Sequence, residues 1–479
     1  MWKKTIQTAL TGGVLLSMTA LTACGGSTGA SGGAADKGAS PDGGAGVATG
    51  QSSGQVTLTL SVMTSNRLLE LAKQKFEESH PNVKVDIKEY VAAPKPEGGN
   101  KVMVRAGAKP DPKDLEKFTT GVNTELMSGK GSDIIVTDGN FPYKKYADKK
   151  LLENLADQMK NDPSFKRDDY YTNVLDAMNY KSGLYALPAK LSLNMLHGNT
   201  AALANAKFDD KTWSWNDFRT AVEPLAKDAN KDGLPDAYAL AGTDAPALFA
   251  LMVNSSFGKL VDTASKKFDT QTFTELLQLS KAMSDSKLVT SEKLDRANVL
   301  FQSANPLGYD DLIMVQQMKF DGKGTMYGLP TAADAKGLSF TSDTLLSINA
   351  KSAHKKEAWE FVKFMLSEDI QKSRELFGFA VNKKASRERQ EQLKEIGSES
   401  NKNKMRLMID GKEFSPTTPK QEDIDKIEGY LSSVRVYAET DPRVTSIIEQ
   451  EAAPFFTGQK SAEEVAKTVQ NKVNTYLQE

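Results

Sequence analysis

Three observations predict an α/β fold. They are a strictly alternating apolar stretch, a stretch with helical spacing that ends at a proline, and a second alternating stretch. Gln55–Val62 sets Val56, Leu58, Leu60 and Val62 on one face and Thr57, Thr59 and Ser61 on the other. Met63-Thr64-Ser65-Asn66 leads into apolar residues at Leu69, Ala72 and Phe76, and this helix must stop at His80-Pro81, since proline cannot continue it. Val83, Val85 and Ile87 then alternate again. A strand–helix–strand unit implies parallel strands joined by a right-handed crossover. Ligands of such sheets gather beyond the carboxyl ends of the strands, so Met63–Arg67, with Asn66 and Arg67, is a candidate ligand edge.

The 479 residues allow two large domains or about three of ordinary size. With 61 basic and 62 acidic residues the chain is nearly neutral, which argues against a nucleic-acid partner. One cysteine, Cys24, excludes an intramolecular disulfide and a thiol redox pair, and three scattered histidines make a multi-histidine metal centre a poor reading.

The amino terminus reads as a targeting signal. Met1–Ala23 carries Lys3 and Lys4 and then an apolar stretch too short and interrupted to span a membrane. It ends in Leu21-Thr22-Ala23-Cys24, which looks like a bacterial lipobox, with Cys24 acylated as the first residue of the processed chain. Two or more acyl chains, at about 0.8 kcal/mol per buried methylene, would anchor the protein to a membrane surface without spanning it. Residues 24–54 hold eleven glycines, six alanines and five serines and no aromatic residue, so they cannot offset the entropy of ordering and form a tether. As a flexible coil the tether spans roughly 30 Å.

Further along, Pro94–Lys113 reads as a surface insertion, followed by a helix through Leu115, Phe118, Val122 and Leu126. Ile134–Thr137 is a short buried strand whose carboxyl end carries Asp138, Gly139 and Asn140. Tyr185–Pro188 and Thr344–Ile348 are further strands, and Ala353–Leu366 is an amphipathic helix with Trp359 on its buried stripe. The last helix opens with the capping-box pattern Ser461-x-x-Glu464 and buries Val465, Val469 and Val473.

The stretch Phe76-Glu77-Glu78-Ser79-His80-Pro81-Asn82-Val83-Lys84-Val85 resembles the first helix–strand junction of bacterial extracellular solute-binding proteins of the sugar-binding type (family 1). Several later stretches agree in order: Ser128–Ile135, Ser182–Pro188, Thr212–Phe218, Glu357–Phe364 and Gln470–Glu479. The resemblance implies a periplasmic-binding-protein-like fold, two α/β lobes with a ligand cleft between them. The expected first lobe is 55–165 plus about 305–365, and the second 166–304 plus about 366–479. It also implies a lipid-anchored monomer on the extracytoplasmic face of the cell membrane that captures a mono- or oligosaccharide and delivers it to an ABC permease. No cofactor is required. A departure from the family pattern is Leu196-His197-Gly198-Asn199, where an aromatic often precedes the asparagine.

A sugar site needs aromatic platforms beside carboxylates and amides. Trp213, Tyr309, Asp310 and Phe379 join Asn66, Arg67, Asp138 and Asn140 as candidate ligand contacts, Tyr309-Asp310 because the family tends to put a cleft aromatic there. Each has the alternative of being only solvated or locally packed, and Trp215 and Trp359 are read as packing residues. Asp228, Asn230, Asp232 and Asp236 read either as a plain Asp/Asn/Gly turn or as the front of a structural calcium loop, whose twelfth position is occupied by Ala239 in place of glutamate. No zinc-protease, phosphate-loop or dinucleotide motif occurs, and the literal Gly25-x-Ser27-x-Gly29 has neither strand before it nor helix after it. A tethered polysaccharide hydrolase and a binder of a non-sugar solute are the alternative readings.

Overall fold

The computed structural model describes residues 54–92, 111–228, 231–292, 294, 298–333, 337–398, 400–401, 407–409 and 412–478. The signal segment, Cys24, nearly all of the tether, most of 94–113, and Asn230 lie outside them.

Alternation at the start of the chain produces the predicted strand, Val56–Val62, with Leu58, Leu60 and Val62 almost wholly buried. It pairs in parallel with Val83–Glu89 on one side and Ile134–Thr137 on the other. The helix between the first two strands, Arg67–Ser79, is capped by Asn66, whose side chain accepts from the Leu69 amide at 3.0 Å. Its buried Phe76 meets Phe361 of helix Lys355–Met365 edge to face, 5.1 Å between centroids. That late helix therefore covers a sheet started three hundred residues earlier. The sheet is completed by Leu345–Ile348, antiparallel to Ile134–Thr137, and by Leu187–Pro188, antiparallel in turn to Leu345–Ile348.

A second five-stranded sheet has the order Val289–Thr290, Tyr238–Ala241, Val299–Ala304, Met195–Asn199, Gly324–Gly328. Phe301 lies at its centre, packed by Trp213, Phe218 and Tyr327. The closing helix Ala462–Gln478 buries Val465, Val469 and Val473 as predicted. Its capping box is formed: Ser461 N donates to Glu464 at 2.8 Å, and Glu464 N to the Ser461 hydroxyl at 3.2 Å.

Between the two sheets lies a third, of three short strands: Ser192–Leu193, Leu338–Thr341 and Val434–Tyr437. Each belongs to a different passage of the chain from one core to the other. The first runs from Leu187–Pro188 to Met195–Asn199, the second from Gly324–Gly328 back to Leu345–Ile348, and the third from helix Gln421–Ser433 to helix Pro442–Phe456. The molecule is thus the two-lobed α/β fold that the sequence implied, with three hydrogen-bonded crossings.

The two hydrophobic cores divide the chain at these crossings and again on either side of helix Tyr309–Met318, which packs in the first core although it lies in sequence between two strands of the second sheet. The expected change near 304–305 coincides with one of these passages, whereas the cores do not change at 165 or 365. Residues 166–193 and 366–437, read from sequence as second lobe, supply Tyr171, Leu175, Phe379, Val381, Ile424 and Ile427 to the first core. Gly324–Gly328, read as first lobe, is an edge strand of the second sheet. Local periodicity shows where strands lie, but the sheet a strand joins is decided by distant partners.

Three candidate ligand residues are interior. Trp213 is 4% exposed, stacks on Phe208 at 4.6 Å and donates its indole N–H to Gly328 O at 2.9 Å. Tyr309 is no loop residue: it opens helix Tyr309–Met318, is 1% exposed, donates to the Ser386 hydroxyl at 2.8 Å and accepts from the Ala380 amide at 3.0 Å. The preceding Gly308 has φ 138°, and a β-carbon there would lie 3.0 Å from Gly378 O, so the backbones approach closely where only glycine fits. Phe379, fully buried, packs against the Tyr309 ring at 4.9 Å. Asp310 forms an ion pair with Arg389 at 2.6 Å. These rings stabilise the fold, which is the packing alternative to ligand contact.

Trp359, in the core as predicted, donates to Asp162 at 2.9 Å, and Lys363 donates to the same carboxylate at 2.8 Å. Partial burial pushes the Asp162 carboxyl up, but the hydrogen bonds from Lys363, Ser164 and Trp359 outweigh it and hold the group well below the usual carboxylate range.

Tyr309→Ala should destabilise the protein by about 3–5 kcal/mol, read by denaturant unfolding, because it leaves a cavity and an unpaired amide. An unchanged midpoint would return the ring to the ligand site. For Asp162 the folded-state pKa is depressed, so its stabilisation is complete above the unfolded value near 4 and fades as pH falls below it. Asp162→Asn should therefore cost about 1–3 kcal/mol at pH 7, and the gap to wild type should narrow between pH 4 and pH 2 in thermal melts.

Candidate functional site

The carboxyl ends of the parallel strands carry Met63–Asn66 and Asp138–Asn140, as the topology requires. Asp138 accepts from the Asn140 amide at 3.0 Å and from its side-chain nitrogen at 3.2 Å, which curls the loop on itself. Burial pushes the Asp138 carboxyl up. The Asn140 hydrogen bonds oppose this, and the Asp343 carboxylate adds to it. Asp138 and Asn66 line a recess of about 70 Å³, together with Met63, Thr64 and Asp343. Arg67 turns to an open surface groove beside Glu70 and Gln74.

Asn140 faces a larger cavity of about 280 Å³. One wall comes from the first lobe: Asn140, Phe141, Lys144 and Tyr180. The opposite wall comes from the second lobe: Phe257, Thr263, Lys266 and Tyr476. The third crossing supplies Glu439, Thr440 and Asp441 between them. The volume lies near the lower end of the ~300–1,000 Å³ typical of small-ligand clefts.

The lining is held in place by polar contacts. Lys144 pairs with Glu439 at 2.5 Å and lies 5.4 Å from the centre of the Tyr180 ring. The Tyr180 hydroxyl donates to Asp148 at 3.0 Å. Asp441 caps helix Pro442–Phe456, accepting from the Arg443 amide at 2.8 Å, and its second oxygen accepts from the Tyr476 hydroxyl at 2.9 Å. Thr440 points its hydroxyl at the Asn140 side-chain oxygen, 3.5 Å away. At Gly139 a β-carbon would lie 3.2 Å from the buried Tyr437 hydroxyl, so the loop lies directly on the third crossing. Aromatic rings with amides, hydroxyls and carboxylates around one space suit a ligand with apolar faces and hydroxyl edges.

Of the residues singled out from sequence, the structure brings Asn140 to the larger cavity and Asp138 and Asn66 to the recess. Arg67, Trp213, Tyr309, Asp310 and Phe379 are elsewhere. Sequence reasoning missed Tyr180, Glu439, Thr440, Asp441 and Tyr476. A signal for part of this set is present in the sequence: Asp441-Pro442 is a helix-start pattern, a cap followed by proline. In the acidic turn, Asp228 accepts from the Asp232 and Gly233 amides at 3.1 and 2.8 Å, and Asp232 from the Leu234 amide at 2.8 Å, which is turn geometry. Among the described residues no three acidic, histidine or cysteine side chains are grouped to hold a metal.

A family model described as bacterial extracellular solute-binding protein matches residues 64–372. Similar solved structures include a family 1 extracellular solute-binding protein from Alicyclobacillus acidocaldarius, at 17% identity over 89% of this chain and 99% of that one, with a TM-score of 0.57. The sugar-binding protein MalE from Xanthomonas citri matches at 14% identity over 88% and 98%, TM-score 0.57. A periplasmic oligogalacturonide-binding protein from Yersinia enterocolitica matches at 17% over 88% and 99%, TM-score 0.57. No curated protein matches the chain. At these identities the solved structures show the fold, and the family match, spanning well over half of the sequence, shows the lineage: the chain belongs to the bacterial extracellular solute-binding proteins.

Proposed function

We propose that the chain captures a carbohydrate between its lobes and delivers it to an ABC permease, as a monomer held on the outer face of the membrane by lipid on Cys24. The observation that carries this reading is the cavity of about 280 Å³ walled by both lobes and the third crossing, since only a ligand touching both walls can report its presence by drawing them together. The sugar-binding MalE of Xanthomonas citri and the oligogalacturonide binder of Yersinia enterocolitica support a sugar as the solute. The lipobox Leu21–Cys24 and the glycine-rich residues after it support the anchor.

Thermal-shift screening of a glycan panel identifies the sugar, because a ligand at 100 times its Kd stabilises by about 2.7 kcal/mol. With that sugar, calorimetry on Asn140→Ala and Tyr476→Ala should show binding roughly five- to 150-fold weaker, one residue from each wall, as expected for about 1–3 kcal/mol of lost contact. Wild-type affinity in both would place the ligand elsewhere, and product formation would turn the reading toward a hydrolase. Cys24→Ala should move the protein from the membrane to the soluble fraction. A mutant that still sediments with membranes after a high-salt wash overturns the anchor.

A further inference from the structure

The charges around the cavity do not cancel. Four lysines and three carboxylates line it; Asp148 is paired with Lys181 and Glu439 with Lys144, while Asp441 accepts from neutral groups, the Tyr476 hydroxyl and the helix amides that it caps, and keeps its charge. The other three lysines are Lys145 and Lys149 on the first-lobe wall and Lys266 on the second-lobe wall. None of these three ammonium groups has an ion-pair partner among the described residues. Lys266 stands in a built turn, in which Asp262 accepts from the Ala264 and Ser265 amides at 2.9 and 3.0 Å and from the Ser265 hydroxyl at 2.5 Å; these bonds orient the Asp262 carboxylate, which keeps its charge and forms no ion pair with Lys266. The surplus is local, because the whole chain is nearly neutral.

We propose that the saccharide taken by this cleft is anionic, carrying a carboxylate, sulfate or phosphate. The inference rests on the cleft reading above and adds the ligand's charge to it. Unpaired ammonium groups on both walls repel when the walls approach, and like charges weaken any closure of the empty cleft. A bound anion reverses the sign: each wall is then drawn to the ligand, and the closed form excludes the water that would otherwise screen the attraction. A neutral sugar of the same shape lacks this contribution and leaves the repulsion standing.

The test is calorimetry on the full chain with four probes: a uronic-acid trisaccharide, its neutral methyl ester, a sulfated disaccharide and a hexose 6-phosphate. At least one anionic probe should bind tenfold or more tighter than the neutral ester, and its affinity should fall as sodium chloride rises from 0.05 to 0.5 M. Which of the three binds identifies the acid group. Lys149→Met and Lys266→Met, both exposed positions, should each narrow the acid-to-ester ratio about two- to fivefold, the effect of one partly exposed ion pair. An ester bound as tightly as the acid, or a salt-independent affinity for the acid, overturns the anionic assignment while the sugar-binding reading stands. Absence of binding to every charged and neutral saccharide overturns both.

Discussion

The structure depends on the backbone hydrogen bonds that join Ser192–Leu193, Leu338–Thr341 and Val434–Tyr437. Each strand is a few residues of a different passage between the lobes, and each would be a loose linker without the other two. Paired, they satisfy one another's amide groups in a region where the two cores stop and a single linker would leave those groups to water. Three passages also restrict relative motion more than one would, favouring a bend about the small sheet over free tumbling of two domains. The two large sheets are positioned by this junction: Leu187–Pro188 and Leu345–Ile348 leave it for one, Met195–Asn199 and Gly324–Gly328 for the other.

The cleft follows from that arrangement. The first lobe contributes the residues that parallel-strand topology puts at its carboxyl edge, Asn140 above all. The third crossing contributes the rest of the floor. There a single carboxylate, Asp441, starts a helix of the second lobe and holds Tyr476 of the last helix. Cavity shape and second-lobe stability therefore share one residue. The lining also mixes two kinds of side chain. Tyr180 and Tyr476 have hydroxyls bound to acids of their own lobe, whereas the exposed Lys145, Lys149 and Lys266 have no ion-pair partner among the described residues.

Much of the fold was legible because its signals are local. Alternation marked Val56–Val62, proline ended the first helix, and Ser461-x-x-Glu464 opened the last, since strand faces and caps are set within a few residues. The site was far less legible. Trp213 and Tyr309 have the chemistry of sugar platforms, but the same rings with the same polar tips also make good core residues once Gly328 O or Ser386 meets the tip. Which role wins depends on partners more than seventy residues away. Asn140 was found because its place follows from topology, and Asp441 was missed because nothing near it says that its helix borders a cleft. The boundary at 165 was misplaced for a related reason: Ser192–Leu193 is too short to be seen as a strand, yet it is where the chain first changes lobes.

The course of the chain has a mechanical side. Its first described strand, Val56–Val62, lies inside the first lobe, and its last helix, Ala462–Gln478, packs in the second. A chain held by its amino-terminal end is therefore held by the first lobe alone. The second lobe follows through the three short strands and the two passages beside helix Tyr309–Met318, and a pull along the leading segment is borne first by Val56–Val62, clamped between parallel neighbours on both sides. A force arriving along the leading segment would reach the second lobe only through the passages between the two cores.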